Sequence, residues 1–169
     1  MANGFPEGEF FLLNTQAMLC LAANPGGTWN AGSFVTKSGS EIEYSHTKPP
    51  VAQVECPNPP GRNQFQGWYF DTSKDSWGKP ANYLVSRMKV STLGRFALQG
   101  SELGFGVERL EMWGTGRDKV ATWKAEGGYI FLDGNPDRVL SINSRTDNPA
   151  PVLADRGGDY QRWHFIPFV

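Results

Sequence analysis

Cysteine and histidine are scarce in this 169-residue chain, with two of each. Cys20, Cys56, His46 and His164 stand at no spacing recognisable as a metal site, so no metal and no other cofactor is expected. Long apolar runs are missing, and with them the means to cross a membrane as a helix. Apolar residues nowhere keep a helical spacing over a long window, which leaves little room for helix. Lys and Arg are scattered and the formal net charge is −1. A nucleic-acid partner would need clustered positive charge, so none is expected. The segment Met1 to Glu9 has neither the basic stretch nor the apolar run of a secretory leader, and no Asn-x-Ser/Thr sequon occurs. As written, the chain reads as cytoplasmic. Gly-x-Ser-x-Gly, His-Glu-x-x-His and a phosphate loop are also missing, so an enzyme is not expected. His164, beside Trp163, reads as a surface strand residue, and His46 as part of a loop near Glu41 and Glu43.

Turn formers and aromatics are plentiful instead. With 20 Gly, 12 Pro and 13% aromatic residues, the composition suits many short strands joined by turns and does not suit disorder. A repeat organises them. Gln66-Gly67-Trp68-Tyr69-Phe70 and Gln161-Arg162-Trp163-His164-Phe165 share the form Gln-x-Trp-x-Phe, and Ala121-Thr122-Trp123 is a weaker copy without the Gln. Each follows an apolar opening strand: Phe10–Asn14, Tyr83–Ser86 and Tyr129–Asp133.

The third copy is the most compact and its strands can be read directly. Tyr129–Asp133, Arg138–Asn143, Pro151–Ala154 and Gln161–Phe165 are separated by turn-forming stretches. The second copy follows with Tyr83–Ser86, Arg95–Gln99, Val107–Trp113 and Val120–Lys124. The first opens with Phe10–Asn14 and Met18–Leu21, then adds Ser33–Thr36 and Glu41–Tyr44. Prolines 49, 50, 57, 59 and 60 bracket Val51–Val54, a density that excludes central strands and helices. An extended loop or extra hairpin is expected over about 24–50, and a second long linker over Asp71–Ala81. Cys20 and Cys56 read as reduced thiols in a cytoplasmic protein; the alternative is one disulfide closing the first repeat.

Three repeats closing in Trp, two of them in Gln-x-Trp, resemble those of the ricin-B-type β-trefoil lectins, and the resemblance runs roughly from Glu9 to Phe168. The Gly127-Gly128-Tyr129 lead-in to the third repeat is similar to that of small fungal members. The resemblance implies an all-β fold, a β-trefoil, with three four-strand repeats around a pseudo-threefold axis forming a six-stranded barrel capped by three hairpins. One domain would span residues 1–169, with repeats at about 9–70, 82–124 and 127–168 and the long insertion at about 24–50. It places Trp68, Trp123 and Trp163 in the core. It also matches Cys56 to the second cysteine of the family repeat, so a Cys20–Cys56 bond is one outcome.

The family's sugar sites lie one per repeat. Each uses an Asp after the Cys-Leu pair of the second strand, an aromatic at the end of the third, and an Asn three residues before the Gln. Carboxylate and amide hold adjacent hydroxyls while the aromatic face stacks on the sugar ring. In repeat one those positions hold Ala22, Val54 and Asn63. In repeat two the Asp position falls near Leu98 or Gln99, Trp113 stands at the stacking position and Asp118 where the Asn would be. Repeat three holds Ser141, Ala154 and Gly158. No repeat carries the full set.

The best candidate is therefore the turn of repeat two, where Trp113 offers an aromatic face beside Arg117 and Asp118, with Asn63 retained in repeat one. The other reading of Trp113 is packing against a neighbouring loop. Trp29 and Trp77, in loops rich in small polar residues, read as loop anchors or ligand contacts. The function expected is a lectin without catalysis that binds glycans or glycoproteins in shallow repeat sites. Weak single sites would call for several of them or for an oligomer such as a homodimer. The alternative is a protein-binding trefoil, such as a protease inhibitor, that presents the inserted loop of repeat one, its ordering cost reduced by proline.

Overall fold

The computed structural model describes residues 3–23, 28–30, 33–35, 41–43, 51–56, 67–73, 78, 80–87, 95–101, 104–110, 120–142 and 151–167. These residues hold fifteen strands and no helix. In chain order they are β1 (Glu9–Asn14), β2 (Leu19–Ala23), β3 (Thr28–Asn30), β4 (Ser33–Val35), β5 (Glu41–Glu43), β6 (Val51–Glu55), β7 (Gly67–Asp71), β8 (Tyr83–Ser86), β9 (Arg95–Ser101), β10 (Gly104–Leu110), β11 (Trp123–Glu126), β12 (Tyr129–Leu132), β13 (Arg138–Ile142), β14 (Pro151–Asp155) and β15 (Trp163–Pro167).

Every ladder is antiparallel, and three hairpins repeat: β2 with β6, β9 with β10, and β13 with β14. The first and fourth strands of the repeats build the barrel through β15–β1, β1–β7, β7–β8 and β11–β12. Its two remaining joints carry backbone hydrogen bonds from Trp123 N to Asn82 O at 3.1 Å and from Trp163 N to Gly128 O at 2.8 Å. The hairpin strands β6, β10 and β14 converge pairwise at one end. This is a β-trefoil. Gly8, Asn82 and Gly128, each just before a first strand, all have positive φ (79°, 54° and 85°). Only Gly and, next best, Asn adopt that region at low cost.

Threefold character is clearest at the tryptophans. The indole N–H of Trp68 donates to Leu21 O (3.0 Å), that of Trp123 to Leu98 O (3.1 Å) and that of Trp163 to Leu140 O (2.9 Å). Each indole therefore ties the fourth strand of its repeat to the second. All three are buried in one core with Phe10, Leu12, Leu84 and Ile130, as the resemblance implies. Phe5 joins them from outside the repeats, its ring centroid 4.4 Å from that of Phe70 and 5.4 Å from that of Phe165. Asn3 holds that segment in place: its carbonyl accepts from Ala125 N at 2.8 Å, and its amide donates to Trp123 O at 3.2 Å.

Several expectations are corrected. Cys20 and Cys56 are joined in a disulfide, not free thiols. Cys20 pairs with Val54 in the β2–β6 ladder, and that register carries Cys56, two residues on, back across it. The proline density agrees with the place of β6, which is no central strand but ends its sheet order, where flanking prolines break no ladder. The insertion contains a separate three-stranded sheet, β3-β4-β5, not an extended loop or single hairpin. Trp29 falls within β3. In repeat two the third strand begins earlier than expected, at Gly104.

One buried residue breaks the threefold pattern. Gln53 faces Leu21 across the β2–β6 ladder, where the other repeats place Val107 opposite Leu98 and Leu153 opposite Leu140. It is 5% exposed, and neither atom of its amide has a hydrogen-bond partner. A buried unpaired amide carries a desolvation penalty of roughly 1–3 kcal/mol. Gln53→Leu is therefore expected to raise the denaturation midpoint by that order, read by urea unfolding at unchanged m-value. A lower midpoint would show that the amide is satisfied in solution.

Candidate functional site

The four residues singled out from the sequence, Trp113, Arg117, Asp118 and Asn63, lie outside the described residues, as does Trp77. The frame that would hold them is described. The Trp-to-Leu hydrogen bonds fix the equivalence of repeats, so Ala22, Gln99 and Ser141 occupy one position on the second strands.

None of the three offers a free carboxylate, and each is buried. Ser141 is 3% exposed, and its hydroxyl lies 3.3 Å from both Asp159 O and Ile142 O. Gln99 points its Oε1 at Ala121 N, which donates to it at 3.0 Å. Ala121 stands where the other closing motifs have Gln, so Gln99 supplies from the second strand an acceptor for the closing segment of repeat two.

Gln161 does comparable work within repeat three. Its Oε1 accepts from Gly157 N (2.9 Å) and Gly158 N (3.1 Å), and its Nε2 donates to Asp155 O (2.7 Å). The Gln of the motif thus clamps the turn after β14. A Cβ at position 158 would lie 3.2 Å from Gln161 Nε2, so an asparagine there would have to displace the amide. In repeat three these positions are engaged in the chain's own hydrogen bonds.

The outer surface of repeat three carries a different cluster. The Arg156 guanidinium carbon lies 4.4 Å from the Tyr129 ring centroid and 5.3 Å from that of Phe131. The Arg162 guanidinium lies over the same Tyr129 ring at 4.1 Å. Arg156 Nε donates to Pro136 O at 2.9 Å, and Arg162 Nη1 donates to Gly127 O. Phe131 is buried, Tyr129 half-buried, and both arginines are exposed.

Register explains the placement. Val54 and Ala154 are equivalent, so Arg156 takes in repeat three the place that Cys56 holds in repeat one, and Val139 the place of Cys20. Sequence reading missed this cluster because three separate segments supply it. The signal that could have found it is Arg156 two residues beyond the third-strand position that aligns with Val54.

His164 is exposed on β15. Among the described residues no group of His, Cys, Asp and Glu is placed to hold a metal ion, and no helix is long and apolar enough to cross a membrane.

No protein-family model and no curated protein matches the sequence. Among solved structures the chain is similar to the mdaA-1 domain, with a TM-score of 0.58 at 16% identity over 99% of this chain and 96% of that one. It is similar to an earthworm lectin C-terminal domain mutant in complex with 6'-sialyllactose (TM-score 0.57, 14% identity, 95% of this chain and 98% of that one). The earthworm R-type lectin C-half in complex with GalNAc is alike to the same degree (TM-score 0.58, 14% identity, 95% and 98%). At such identity the likeness speaks for the fold, an all-β trefoil.

Proposed function

We propose that this protein is a carbohydrate-binding lectin of the ricin-B type, without catalytic activity, that binds glycans in shallow sites on its repeats. The observation that carries the reading is the trefoil frame itself, with its three equivalent Trp-to-Leu hydrogen bonds. It is supported by fold neighbours solved with 6'-sialyllactose and with GalNAc. The site proposed is the turn of repeat two, with Trp113 stacking on the sugar and Asp118 and Arg117 holding its hydroxyls; Asn63 would contribute in repeat one. A shallow site of this kind binds weakly, and a homodimer would add avidity.

A glycan array on the purified protein tests this. A reproducible hit that weakens in Trp113→Ala or Asp118→Ala is the expected result. The melting transition of Trp113→Ala should stay nearly unchanged, and unfolding of that variant would make Trp113 a packing residue instead. A blank array from folded protein would favour the second reading, a protein-binding trefoil. That reading draws on the β3-β4-β5 sheet, which shares no ladder with the other strands among the described residues, and a panel of proteases would test it. The compartment turns on one bond. Work with Cys20–Cys56 closed belongs in oxidising surroundings, whereas cytoplasmic residence requires both thiols reduced.

A further inference from the structure

The geometry points to a second, anion-selective site on the outer face of repeat three, where Arg156 and Arg162 flank Tyr129 and would hold the oxyanion of an acidic saccharide. The inference takes the kind of molecule from the glycan-binding reading and adds a different site and a charge requirement.

Tyr129 is not available as a stacking platform, because guanidiniums sit over its ring at 4.4 and 4.1 Å. What the cluster presents to solvent is N–H donors. Each arginine spends one donor on a backbone carbonyl, Pro136 O or Gly127 O, and keeps the others. Neither forms an ion pair with a carboxylate among the described residues. Asp155 is engaged by Arg138 at 2.8 Å, and Glu126, opposite Tyr129 in the β11–β12 register, is joined to neither arginine. Two like charges held on one ring repel each other, and a shared oxyanion would relieve that. Their forks suit bidentate contact with carboxylate or sulfate, and the carbonyl and ring contacts hold them in position beforehand, which lowers the ordering cost of binding.

The other repeats lack the arrangement. Glu9 and Gly67 stand at the positions of Tyr129 and Arg162 in repeat one, and Tyr83 and Thr122 in repeat two. In repeat one Glu9 is instead paired with Arg87. The Arg162 stem passes beside Gly128, where an added Cβ would lie 3.5 Å from Arg162 Cδ, an ordinary contact distance.

The test is calorimetric titration with a sialylated and a sulfated oligosaccharide, each beside its neutral parent. The proteins are the wild type, Arg156→Gln, Arg162→Gln, Arg156→Lys and Trp113→Ala. The charged sugars are expected to bind the wild type at least about tenfold tighter than their parents, the scale of a charge-assisted hydrogen bond. That margin should vanish in either glutamine variant, shrink in Arg156→Lys and persist in Trp113→Ala. A margin for only one of the two anions would identify carboxylate or sulfate as the recognised group. No margin in the wild type, or one that survives both glutamine variants, overturns the proposal. Neutral binding lost only in Trp113→Ala supports the repeat-two site independently. Charged binding that follows the arginines, with no neutral binding anywhere, would keep this site and remove the other.

Discussion

Trp163→Ala is expected to lower the free energy of unfolding by roughly 3–5 kcal/mol, the range for truncating a large core aromatic. Trp163 is 4% exposed and belongs to the central core. Removing the indole loses its burial and leaves a cavity that the barrel can fill only in part. It also strips Leu140 O of its donor at 2.9 Å, and an orphaned buried acceptor costs roughly 1–3 kcal/mol within that total. Trp163→Phe separates the two effects, since it keeps most of the apolar area and loses the N–H. Because Trp68 and Trp123 make the equivalent bonds, their alanine variants should lose similar amounts. Urea unfolding of all three, read at unchanged m-value, is the measurement. A loss below about 1 kcal/mol at any one would remove that tryptophan from the shared core. A domain of this kind holds about 5–15 kcal/mol in all, so a loss of this size takes up a large share of the total and should show as a clearly lowered urea midpoint at 25 °C.

What the sequence disclosed follows from this energetics. An indole must close each repeat, so the three tryptophans recur while much around them varies, and the strands on either side could be read from alternation and turn residues. The first three strands of repeat three came out within one residue at each end and the fourth two residues early, because the stretches between them are rich in Gly, Asp and Pro. Compensations that cross strands were not legible. Gln99 serves a closing segment that has lost its own Gln, yet the two are 22 residues apart and nothing local links them. Phe5 plugs the barrel as a single aromatic in a Gly- and Pro-containing segment, with no periodicity to announce it. Of the candidate sugar site only the residue types at the positions the resemblance points to were legible, and Trp113, Arg117, Asp118 and Asn63 lie outside the described residues. Ser141, Ala154 and Gly158 could be set against the pattern that the resemblance supplies, whereas the Tyr129–Arg156–Arg162 cluster depends on register, which composition does not encode. The cysteines went the other way: weighing the redox compartment favoured thiols, while strand pairing brings Cys20 and Cys56 together.

Reducing that bond gives the second large expected effect. Cys20 and Cys56 are 36 residues apart in sequence, and a closed loop of that size restricts the unfolded chain by roughly 3–4 kcal/mol at 25 °C. For a domain of this length each kcal/mol moves the melting temperature by roughly 2–4 °C, so a reductant should lower it by about 6–16 °C. Cys20→Ala/Cys56→Ala should melt near the reduced wild type and be insensitive to reductant, because it has no bond to lose. Cys20 is fully buried, so part of the variant's loss comes from packing. The difference between the variant and the reduced wild type isolates that part. The loop encloses β3, β4 and β5, so limited proteolysis should cut first within residues 24–50 once the bond is open, while the repeat-three hairpin, which shares no ladder with β2 or β6, stays protected. An unchanged melting temperature on reduction would show that the bond adds nothing the β2–β6 ladder does not already supply. The protein would then be as stable in a reducing compartment as outside one.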